Sequence, residues 1–346
     1  MFFFHNDYSE GCHESILARL QQINFQQNPG YGEDAICARA AEKIRTSCGR
    51  QDLRVHFLVG GTQTNLTVIA AVLRPHQGVI GAESAHIHVH ETGAVEAVGH
   101  KVLAVPSKDG KLTAQQVRQQ VRLQRESGAA EHMVQPKMVY ISQPTELGTL
   151  YTLEELEAIG QACRENNLYL FVDGARLGYG LEAKGNDIKL SDLARVCDVF
   201  YIGGTKVGAL FGEAVVITNP LLEEDFRYLM KQKGGMLAKG WLLGVQFDCL
   251  FTDDLYFRLG AHADRLADRI RDTLKQLNCP LLVESTTNQI FPILPDAILD
   301  ELAKDFTFSE QERVSPTQRA VRFCTSWATS AEQVDALCNA LNRLLK

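Results

Sequence analysis

Between about residue 50 and residue 220, the sequence alternates short apolar runs with amphipathic stretches. The runs that predict strands are Val55–Val59, Val79–Ala82, Lys101–Val105, Met138–Ser142, Tyr169–Asp173, Val199–Ile202 and Ala214–Thr218. The stretches that predict helices between them are Thr62–Leu73, Thr113–Arg125 and Leu153–Asn166. This alternation predicts an α/β fold with a mainly parallel seven-stranded sheet and helices on both faces. In such folds ligands bind beyond the carboxyl ends of the strands.

The remainder of the chain follows a different pattern. Tyr256–Leu277 has an apolar stripe at helical spacing, which predicts one long helix. Short strands and a last helix are predicted after it: Leu281–Glu284, Ile290–Ile293, Ala320–Thr325 and Ala331–Leu345. A chain of 346 residues has room for one large and one smaller domain. We therefore expect an N-terminal segment with a large domain over 1–252 and a small C-terminal α+β domain over 253–346.

Composition narrows the class of protein. The formal net charge is -7, so the chain as a whole does not attract nucleic acid or an anionic membrane. No apolar stretch approaches the ~20 residues of a transmembrane helix. The nine cysteines contain no Cys-x-x-Cys pair, which favours a reducing compartment and a cytoplasmic location. Met1–Phe4 is too short for the core of a signal peptide.

Two of the predicted strands lead directly to residues with chemically reactive side chains. The run Leu168–Val172 ends in Asp173, and Val199–Ile202 leads through glycines and Thr205 to Lys206. A lysine can form a Schiff base with pyridoxal phosphate (PLP), and an aspartate can keep the pyridine nitrogen of PLP protonated. The pair therefore indicates a PLP site. The alternative for Lys206 is an exposed loop lysine, against which its setting of glycines and apolar residues argues.

A glycine-rich turn precedes the first helix of this region. Val59-Gly60-Gly61-Thr62 joins a predicted strand to a predicted helix. Small residues let the backbone approach an anion, and a helix N-terminus offers free N–H groups. The turn can therefore bind a phosphate. It can equally be an ordinary strand-to-helix turn capped by Thr62, and it is neither a P-loop nor a dinucleotide fingerprint.

Three histidines, His86, His88 and His90, alternate over five residues. On a strand they would share one face and resemble a metal site, but the sequence shows no further ligands. We expect no metal, and we favour an imidazole that stacks on a flat cofactor ring. Arg176 follows Asp173 by three residues. The two either form a surface ion pair, or Arg176 lies near the phenolic oxygen of the cofactor or tunes the aspartate.

Together these segments resemble the L-threonine aldolases, in the β-eliminating lyase group of fold-type I (aspartate aminotransferase-like) PLP enzymes. The likeness rests on the order and spacing of segments along most of the chain: His5-Asn6-Asp7, Gly30-Tyr31-Gly32-Glu33-Asp34, Gly60-Gly61-Thr62-Gln63-Thr64-Asn65, Ser84-Ala85-His86, Val172-Asp173-Gly174-Ala175-Arg176, Thr205-Lys206 and Ala320-Val321-Arg322.

The resemblance implies a role for each matching residue. Lys206 would form the Schiff base, Asp173 would bind the pyridine nitrogen, and His86 would stack on the ring. Gly61 and Thr62 would hold the phosphate, with Arg176 and Thr205 also in the cofactor set. The substrate residues would be Arg322, which binds the carboxylate, together with Asn6 and Tyr31. Tyr31 lies in a segment that reaches the active site at a subunit boundary, so the resemblance also implies a homodimer or homotetramer.

Three segments depart from the family pattern. Asn6 stands where the family usually has a substrate-contacting serine. Glu146 stands where many members have a histidine, and Leu237, with Lys239 nearby, stands where many have an arginine. A buried carboxylate at Glu146 could accept the proton of a substrate hydroxyl if desolvation raised its pKa. The alternative is a solvated glutamate in a turn that begins at Pro144.

These observations predict an enzyme that acts on a small amino-acid substrate. The first hypothesis is a PLP-dependent aldolase that cleaves a β-hydroxy-α-amino acid, such as L-threonine or allo-threonine, to glycine and an aldehyde. The second is a PLP-dependent lyase that eliminates a β-substituent and releases a 2-oxo acid and ammonia. Two other classes stay open: a metalloenzyme built on the histidine cluster, and a non-catalytic protein with the PLP fold.

Overall fold

The computed structural model describes residues 1–346. Its strands are β1 (Phe2–Phe3), β2 (Arg54–Leu58), β3 (Gln77–Ala82), β4 (Lys101–Val105), β5 (Gln135–Ser142), β6 (Tyr169–Asp173), β7 (Val199–Gly203), β8 (Glu213–Ile217), β9 (Gln289–Ile290), β10 (Ile293–Pro295), β11 (Phe306–Thr307), β12 (Ser309–Ser315) and β13 (Gln318–Cys324). Its α-helices are α1 (Glu14–Ile23), α2 (Ala35–Ser47), α3 (Gly61–Val72), α4 (His86–Val89), α5 (Ala94–Ala97), α6 (Ala114–Arg125), α7 (Leu153–Glu165), α8 (Leu177–Glu182), α9 (Leu190–Val196), α10 (Phe226–Gln232), α11 (Trp241–Leu250), α12 (Leu255–Gln276), α13 (Asp296–Leu302) and α14 (Ala331–Leu345).

A seven-stranded sheet forms the centre of the fold, in the order β2-β8-β7-β6-β5-β3-β4. Strand β8 runs antiparallel to both of its neighbours, and the other pairs are parallel. Every residue of β3, β7 and β8 is buried, as expected for a sheet covered on both faces. The predicted α/β class and its seven strands are confirmed, with small shifts at the strand ends.

The helices of this region begin and end close to the predicted positions because capping residues mark them. Helix α6 begins after Thr113 and α7 after Thr152, and in each case the threonine and the glutamine or glutamate three residues later form a capping box. The long helix α12 and the last helix α14 are also where they were predicted. None of the helices is long and apolar enough to span a membrane.

A second, smaller core lies against helix α12. It contains 16 buried apolar residues, including Phe4, Ile290, Phe323 and Leu337. Helix α12 serves both cores, because Ala263 belongs to the larger core and Leu266 to the smaller one. The division after residue 252 stays a prediction.

Three details of the C-terminal region differ from the sequence prediction. The predicted strand Leu281–Glu284 is wrong: the segment forms only a single bridge, from Leu281 to Pro292. The predicted strand Ile290–Ile293 is interrupted by the same Pro292, which has no N–H to donate to a ladder. Strand β12 was missed because it is a polar, exposed edge strand without apolar alternation.

The N-terminal residues pack on the C-terminal core. Strand β1 pairs in parallel with β11, and the carbonyl of Phe4 accepts from the N–H of Cys324 at 2.8 Å. Asp7 follows this strand and is completely buried. The start of the chain therefore bridges to residues near its end and delivers one carboxylate to the junction of the two cores.

Candidate active site

A cleft of about 340 Å³ opens at the carboxyl edge of the sheet. Its walls come from the segments that follow β2, β3, β5, β6 and β7, from the start of β8 and from Tyr8 near the N-terminus. The walls contain most of the predicted site residues, namely Gly61, Thr62, His86, Glu146, Asp173, Arg176, Thr205 and Lys206. Residues as distant in the sequence as Tyr8 and Glu213 meet in this one space.

Lys206 lies in the tight turn after β7. The amides of Gly204 and Thr205 donate to the carbonyl of Gly212 at 2.9 and 3.1 Å, and the hydroxyl of Tyr179 donates to the carbonyl of Lys206. Burial lowers the pKa of the Lys206 ammonium, and the positive charge of Arg176 lowers it further. A lysine whose pKa is lowered supplies more of the free amine that attacks a carbonyl.

Asp173 ends β6 and is held by three donors. The hydroxyl of Tyr140 and the amide nitrogen of Asn65, the latter at 3.1 Å, donate to Oδ2, and the N–H of Ala175 donates to Oδ1 at 2.9 Å. Only 4% of Asp173 is exposed. Hydrogen bonds to both oxygens stabilise the ionised carboxylate inside the protein.

Two glycines bring the aspartate turn and the lysine turn together. The N–H of Gly203 donates to the carbonyl of Gly174 at 2.9 Å. A Cβ on Gly174 would lie 1.9 Å from the carbonyl oxygen of Tyr201, and one on Gly203 would lie 2.3 Å from that of Ala175. Since no side chain fits either position, these glycines set the spacing between Asp173 and Lys206.

Helix α3 presents free N–H groups to the cleft. Its N-cap is Gly60, which offers no side-chain cap, and the first helical hydrogen bond runs from Thr64 N–H to the carbonyl of Gly60. The free amides of the first turn, including those of Gly61 and Thr62, indicate that an anion can bind at this helix N-terminus. The turn predicted from sequence thus lies in the wall of the same cleft as Lys206.

His86 is the first residue of α4 and is held from two sides. Its Nδ1 lies 2.7 Å from Glu91 Oε1, and its backbone N–H donates to Glu146 Oε1 at 2.9 Å. His88 and His90 are exposed, and no group of three or more His, Cys, Asp or Glu side chains is arranged to hold a metal. The three histidines therefore do not converge on one point.

Glu146 lies in the wall of the cleft. The hydroxyl of Ser142 donates to its Oε1 at 2.7 Å. Burial raises the pKa of the Glu146 carboxyl, although the hydrogen bonds of Ser142 and of the His86 backbone partly oppose this. Of the two alternatives for Glu146, a residue near the cofactor or a solvated residue in a turn, the structure agrees with the first: Glu146 is half-buried and lines the cleft.

Arg176 lines the cleft and forms a bidentate ion pair with Asp7, at 2.7 and 3.0 Å. Asn288 donates to the same carboxylate at 2.9 Å. Burial alone would raise the pKa of Asp7, but the charges of Arg176 and Lys206 and the hydrogen bonds lower it to about 2. The direct partner of Arg176 is therefore Asp7, which the sequence did not identify.

Three predicted substrate residues lie outside the walls of the cleft. Arg322 is in β13, where its guanidinium donates to Gln289 Oε1 and to the carbonyl of His5 while its buried Nε has no partner. Asn6 accepts from the N–H of Tyr8 and the hydroxyl of Ser9. Burial lowers the pKa of His90, and the neighbouring charges of His86, Arg322, Lys206 and Arg176 lower it further.

Tyr31 lies against a separate cavity of about 300 Å³. Its side chain is exposed, and the ammonium of Lys231 is 4.6 Å from the centre of its ring. Leu237, one of the residues that depart from the family pattern, lines the same cavity, and Lys239 nearby is exposed. Tyr31 thus does not contribute to the cleft of its own chain.

Sequence reasoning missed three buried polar residues, of which Glu213 lines the cleft while Asn65 and Glu91 contact residues of its wall. Asn65 and Glu91 connect Asp173 to His86. Glu213 opens β8, and burial raises the pKa of its carboxyl to about 8 although it accepts from the hydroxyl of Thr205 at 2.8 Å. Asn65 ends the segment Gly60-Gly61-Thr62-Gln63-Thr64-Asn65 and lies three residues after Thr62 on the helix. Because residues three apart share a helix face, this spacing could have placed Asn65 on the same side as Thr62.

These residues fit pyridoxal phosphate. Lys206 offers an amine, Asp173 a carboxylate and His86 a flat ring, and the uncapped N-terminus of α3 offers amides for a phosphate. Two further polar atoms are buried and unpartnered at the site, Glu91 Oε2 and Glu213 Oε2. The donor set matches the ionic and ring groups of the cofactor one for one.

Residues 7–297 match the family described as Beta-eliminating lyase. The chain is 31% identical to the low specificity L-threonine aldolase of Pseudomonas aeruginosa over 99% of this chain and 97% of that protein. It is 45% identical to a solved threonine aldolase of Leishmania major, with a TM-score of 0.97 and full coverage of both chains. The aspartate aminotransferase of Thermus thermophilus, at 16% identity and a TM-score of 0.71, shares the fold.

Proposed function

Because this chain belongs to the β-eliminating lyase family, we propose that it is a PLP-dependent aldolase that cleaves a β-hydroxy-α-amino acid, such as L-threonine or allo-threonine, to glycine and an aldehyde. The observation that carries this proposal is the meeting of Lys206, Asp173 and the free N-terminus of α3 in one cleft. Relatives named as threonine aldolases support the substrate class.

The cofactor would be held at three points. The amides of Gly61 and Thr62 would bind its phosphate, Lys206 Nζ would bind its carbonyl carbon, and Asp173 would hold a proton on its ring nitrogen. PLP, when bound, supplies an electron sink for bonds broken at the Cα of the amino acid. Tyr140 and Asn65 keep Asp173 in place for this task by donating to its Oδ2.

The substrate hydroxyl would meet a proton acceptor on the opposite wall. Both His86 and Glu146 line the cleft, and Glu146 is fixed by Ser142 and by the backbone of His86. Removal of the hydroxyl proton lets the Cα–Cβ bond break with release of the aldehyde. The cations Lys206, Arg176 and Arg322 would attract the substrate carboxylate to this side.

Product analysis tests the proposed function directly. The purified protein, loaded with PLP, is incubated with L-threonine and with L-allo-threonine, and glycine, acetaldehyde, 2-oxobutanoate and ammonia are measured. Equal amounts of glycine and acetaldehyde are expected. Release of the 2-oxo acid and ammonia would instead assign β-elimination, and no product from a panel of β-substituted amino acids would favour a non-catalytic role.

Glu146 is expected to determine turnover and substrate preference. The variant Glu146→Gln keeps the size of the side chain and an oxygen for the N–H of His86 but cannot take up a proton. We expect it to lower retro-aldol turnover about 10²-fold, the scale of general base catalysis. Turnover of threonine, allo-threonine and a bulky aryl analogue provides the measurement, with PLP occupancy checked in each variant.

A histidine at the same position provides the matched variant. Glu146→His restores a neutral base of the kind that many relatives place here, so it is expected to shift preference toward threonine. Unchanged rates and preferences in both variants would show that Glu146 neither takes the proton nor selects the substrate.

Arg322 is expected to bind the substrate carboxylate. A guanidinium pairs with a carboxylate through two parallel hydrogen bonds, which an ammonium cannot reproduce. Arg322→Lys should therefore raise KM about tenfold or more, a loss of ~1.4 kcal/mol, while the absorbance spectrum of the cofactor stays the same. Steady-state kinetics and the spectrum are compared with those of Arg313→Lys, an exposed arginine on the neighbouring strand β12. An equal KM in wild type and Arg322→Lys for every accepted amino acid would exclude this role.

We also propose that the active unit is a homodimer or a homotetramer in which active sites lie at the dimer interface. Tyr31 is exposed and is absent from the walls of its own cleft, while the exposed Tyr228 and the half-buried Met236 lie beside it. A second copy could receive Tyr31 at its cleft. Light scattering after size-exclusion chromatography measures the mass, and a monomer with full activity would contradict the proposal.

A cytoplasmic location is the remaining part of the proposal. The nine cysteines are all free, and six of them are buried, which suits a reducing compartment. A fluorescent fusion examined in cells measures the location.

A further inference from the structure

We propose that Glu91 and Asn65 are positioning residues that fix the proton on Nδ1 of His86 and couple His86 to Asp173. The proposal rests on the proposed function, because it gives His86 and Asp173 their roles at the cofactor. It concerns a chain of contacts inside the protein, however, and these contacts can be measured without turnover.

Glu91 is the acid that His86 contacts. It is 6% exposed, its Oε1 lies 2.7 Å from His86 Nδ1, and it forms no ion pair with a lysine or arginine. A buried carboxylate without a permanent cation is stabilised by a neighbour that donates a proton to it. The carboxylate can only accept when ionised, so the proton of the imidazole lies on Nδ1 and Nε2 is left as the free nitrogen.

Asn65 joins this pair to Asp173. Its Nδ2 donates to Glu91 Oε1 at 2.7 Å and to Asp173 Oδ2 at 3.1 Å. Both acceptors are carboxylates, so the orientation of the amide is determined: the nitrogen faces them, and the buried Oδ1 has no partner. One amide group therefore uses both of its N–H bonds to separate two negative charges.

These contacts fix the orientation and the tautomer of the His86 ring in the wall of the cleft. Glu91 holds the ring through Nδ1, while Glu146 holds the backbone N–H at the start of the same short helix. Without Glu91 the ring could turn and the proton could move to Nε2, the nitrogen that a substrate hydroxyl would need as an acceptor. The expected effect of Glu91 is therefore on turnover rather than on substrate binding.

The protonation of His86 depends on every charged or titratable group that surrounds it. Those on its own segment are Glu91 and His90, and those from packed loops and strands are Tyr8, Tyr140, Glu146, Asp173, Arg176, Tyr201, Lys206, Glu213 and Arg322. Glu91 alone contacts the ring with an acidic group. A change confined to Glu91 therefore tests one contact while the other groups stay in place.

The rate at which His86 is chemically modified in the apoenzyme tests the contact between Glu91 and His86. Diethyl pyrocarbonate reacts with an unprotonated imidazole nitrogen, and peptide mass spectrometry can follow His86 and His88 in the same sample. His88 is exposed on the same short helix and has no carboxylate contact, so it serves as the internal reference. The measured quantity is the ratio of the two modification rates at pH 6.

The two variants are expected to change this ratio in opposite directions. Glu91→Gln removes the charge that favours protonated His86, so the ratio should rise about threefold or more. Asn65→Ala removes the N–H that donates to Glu91 Oε1, so Glu91 should attract the proton of His86 more strongly and the ratio should fall. A purely structural role would loosen the site in both variants and raise the ratio in both.

Kinetics of the PLP-loaded enzyme supply the second readout. Glu91→Gln should lower kcat about tenfold or more with little change in KM, the scale on which partners that orient a functional histidine act. A ratio that does not change in Glu91→Gln, or that rises in both variants, overturns the proposal. If Glu91→Gln does not fold, Asn65→Ala decides: a lower ratio supports the proposal, and an equal or higher ratio overturns it.

These outcomes are separate from the failure of the proposed function. The modification ratio is obtained without PLP or substrate, so it reports on the Glu91–His86 contact even in a protein that cleaves no amino acid. Conversely, an active aldolase with an unchanged ratio would retain the proposed function and lose only this inference.

Discussion

Replacing Lys206 with alanine is expected to lower turnover of every accepted amino acid by at least about 10³-fold, because this side chain would supply the amine that binds the cofactor. Its lowered pKa and its place in a tight, glycine-flanked turn support this role. No other lysine lines the cleft, so the chain offers no substitute. The expected loss is therefore larger than that for any other single change.

Borohydride reduction tests, independently of turnover, whether Lys206 is the lysine that binds PLP. In the wild type, PLP should become covalently fixed to the peptide that contains Lys206, and in Lys206→Ala no peptide should carry it. Lys101→Ala is the matched control, because Lys101 is exposed and lies at the amino end of β4, on the opposite edge of the sheet. Labelling of a different lysine in the wild type would refute the assignment.

Asp173→Asn is expected to lower turnover about 10²- to 10³-fold, the loss seen when one preorganised electrostatic contact is removed. The amide keeps the volume of the side chain but cannot hold the positive charge of a protonated ring nitrogen. The amides at the N-terminus of α3 and Lys206 remain, so the cofactor should still bind. Turnover and PLP content after dialysis are measured together.

The comparison of these two quantities separates the roles of Asp173. A large loss of turnover with full PLP content supports the expected contact with the ring nitrogen. Turnover near that of the wild type would contradict it. Loss of PLP would show that Asp173 mainly retains the cofactor, and the loss of one of the two oxygens that accept from Tyr140, Asn65 and Ala175 would then be part of the cause.

The sequence allowed the sheet and the centre of the cleft to be predicted, for a local reason. Asp173 and Lys206 each follow an apolar run that can only be a buried strand, and parallel strands bring their carboxyl ends to one edge. Periodicity and capping residues are properties of neighbouring positions. The strands and helices of the large domain are therefore predictable without knowledge of distant contacts.

The parts that were missed depend on distant contacts. Asp7 meets Arg176 across 169 positions, and Asn65 meets Asp173 across 108. The sequence around Asp7 and Asn65 does not show which distant residue each side chain meets. The polar strand β12 was missed for a related reason: its ladder with β13, rather than its own side chains, keeps it extended.

The pairing of the first strand with β11 affects the order in which the protein is assembled during synthesis. Domains generally fold as units, N-terminal first, while the chain is being made. Phe2 and Phe4 have no place to pack until Phe306 and Phe323 have been synthesised. The large domain can therefore form while the start of the chain is still free. The segment that carries Asp7 to Arg176 is the last part of the cleft wall to dock, so the finished active site forms only after the ribosome has completed the chain.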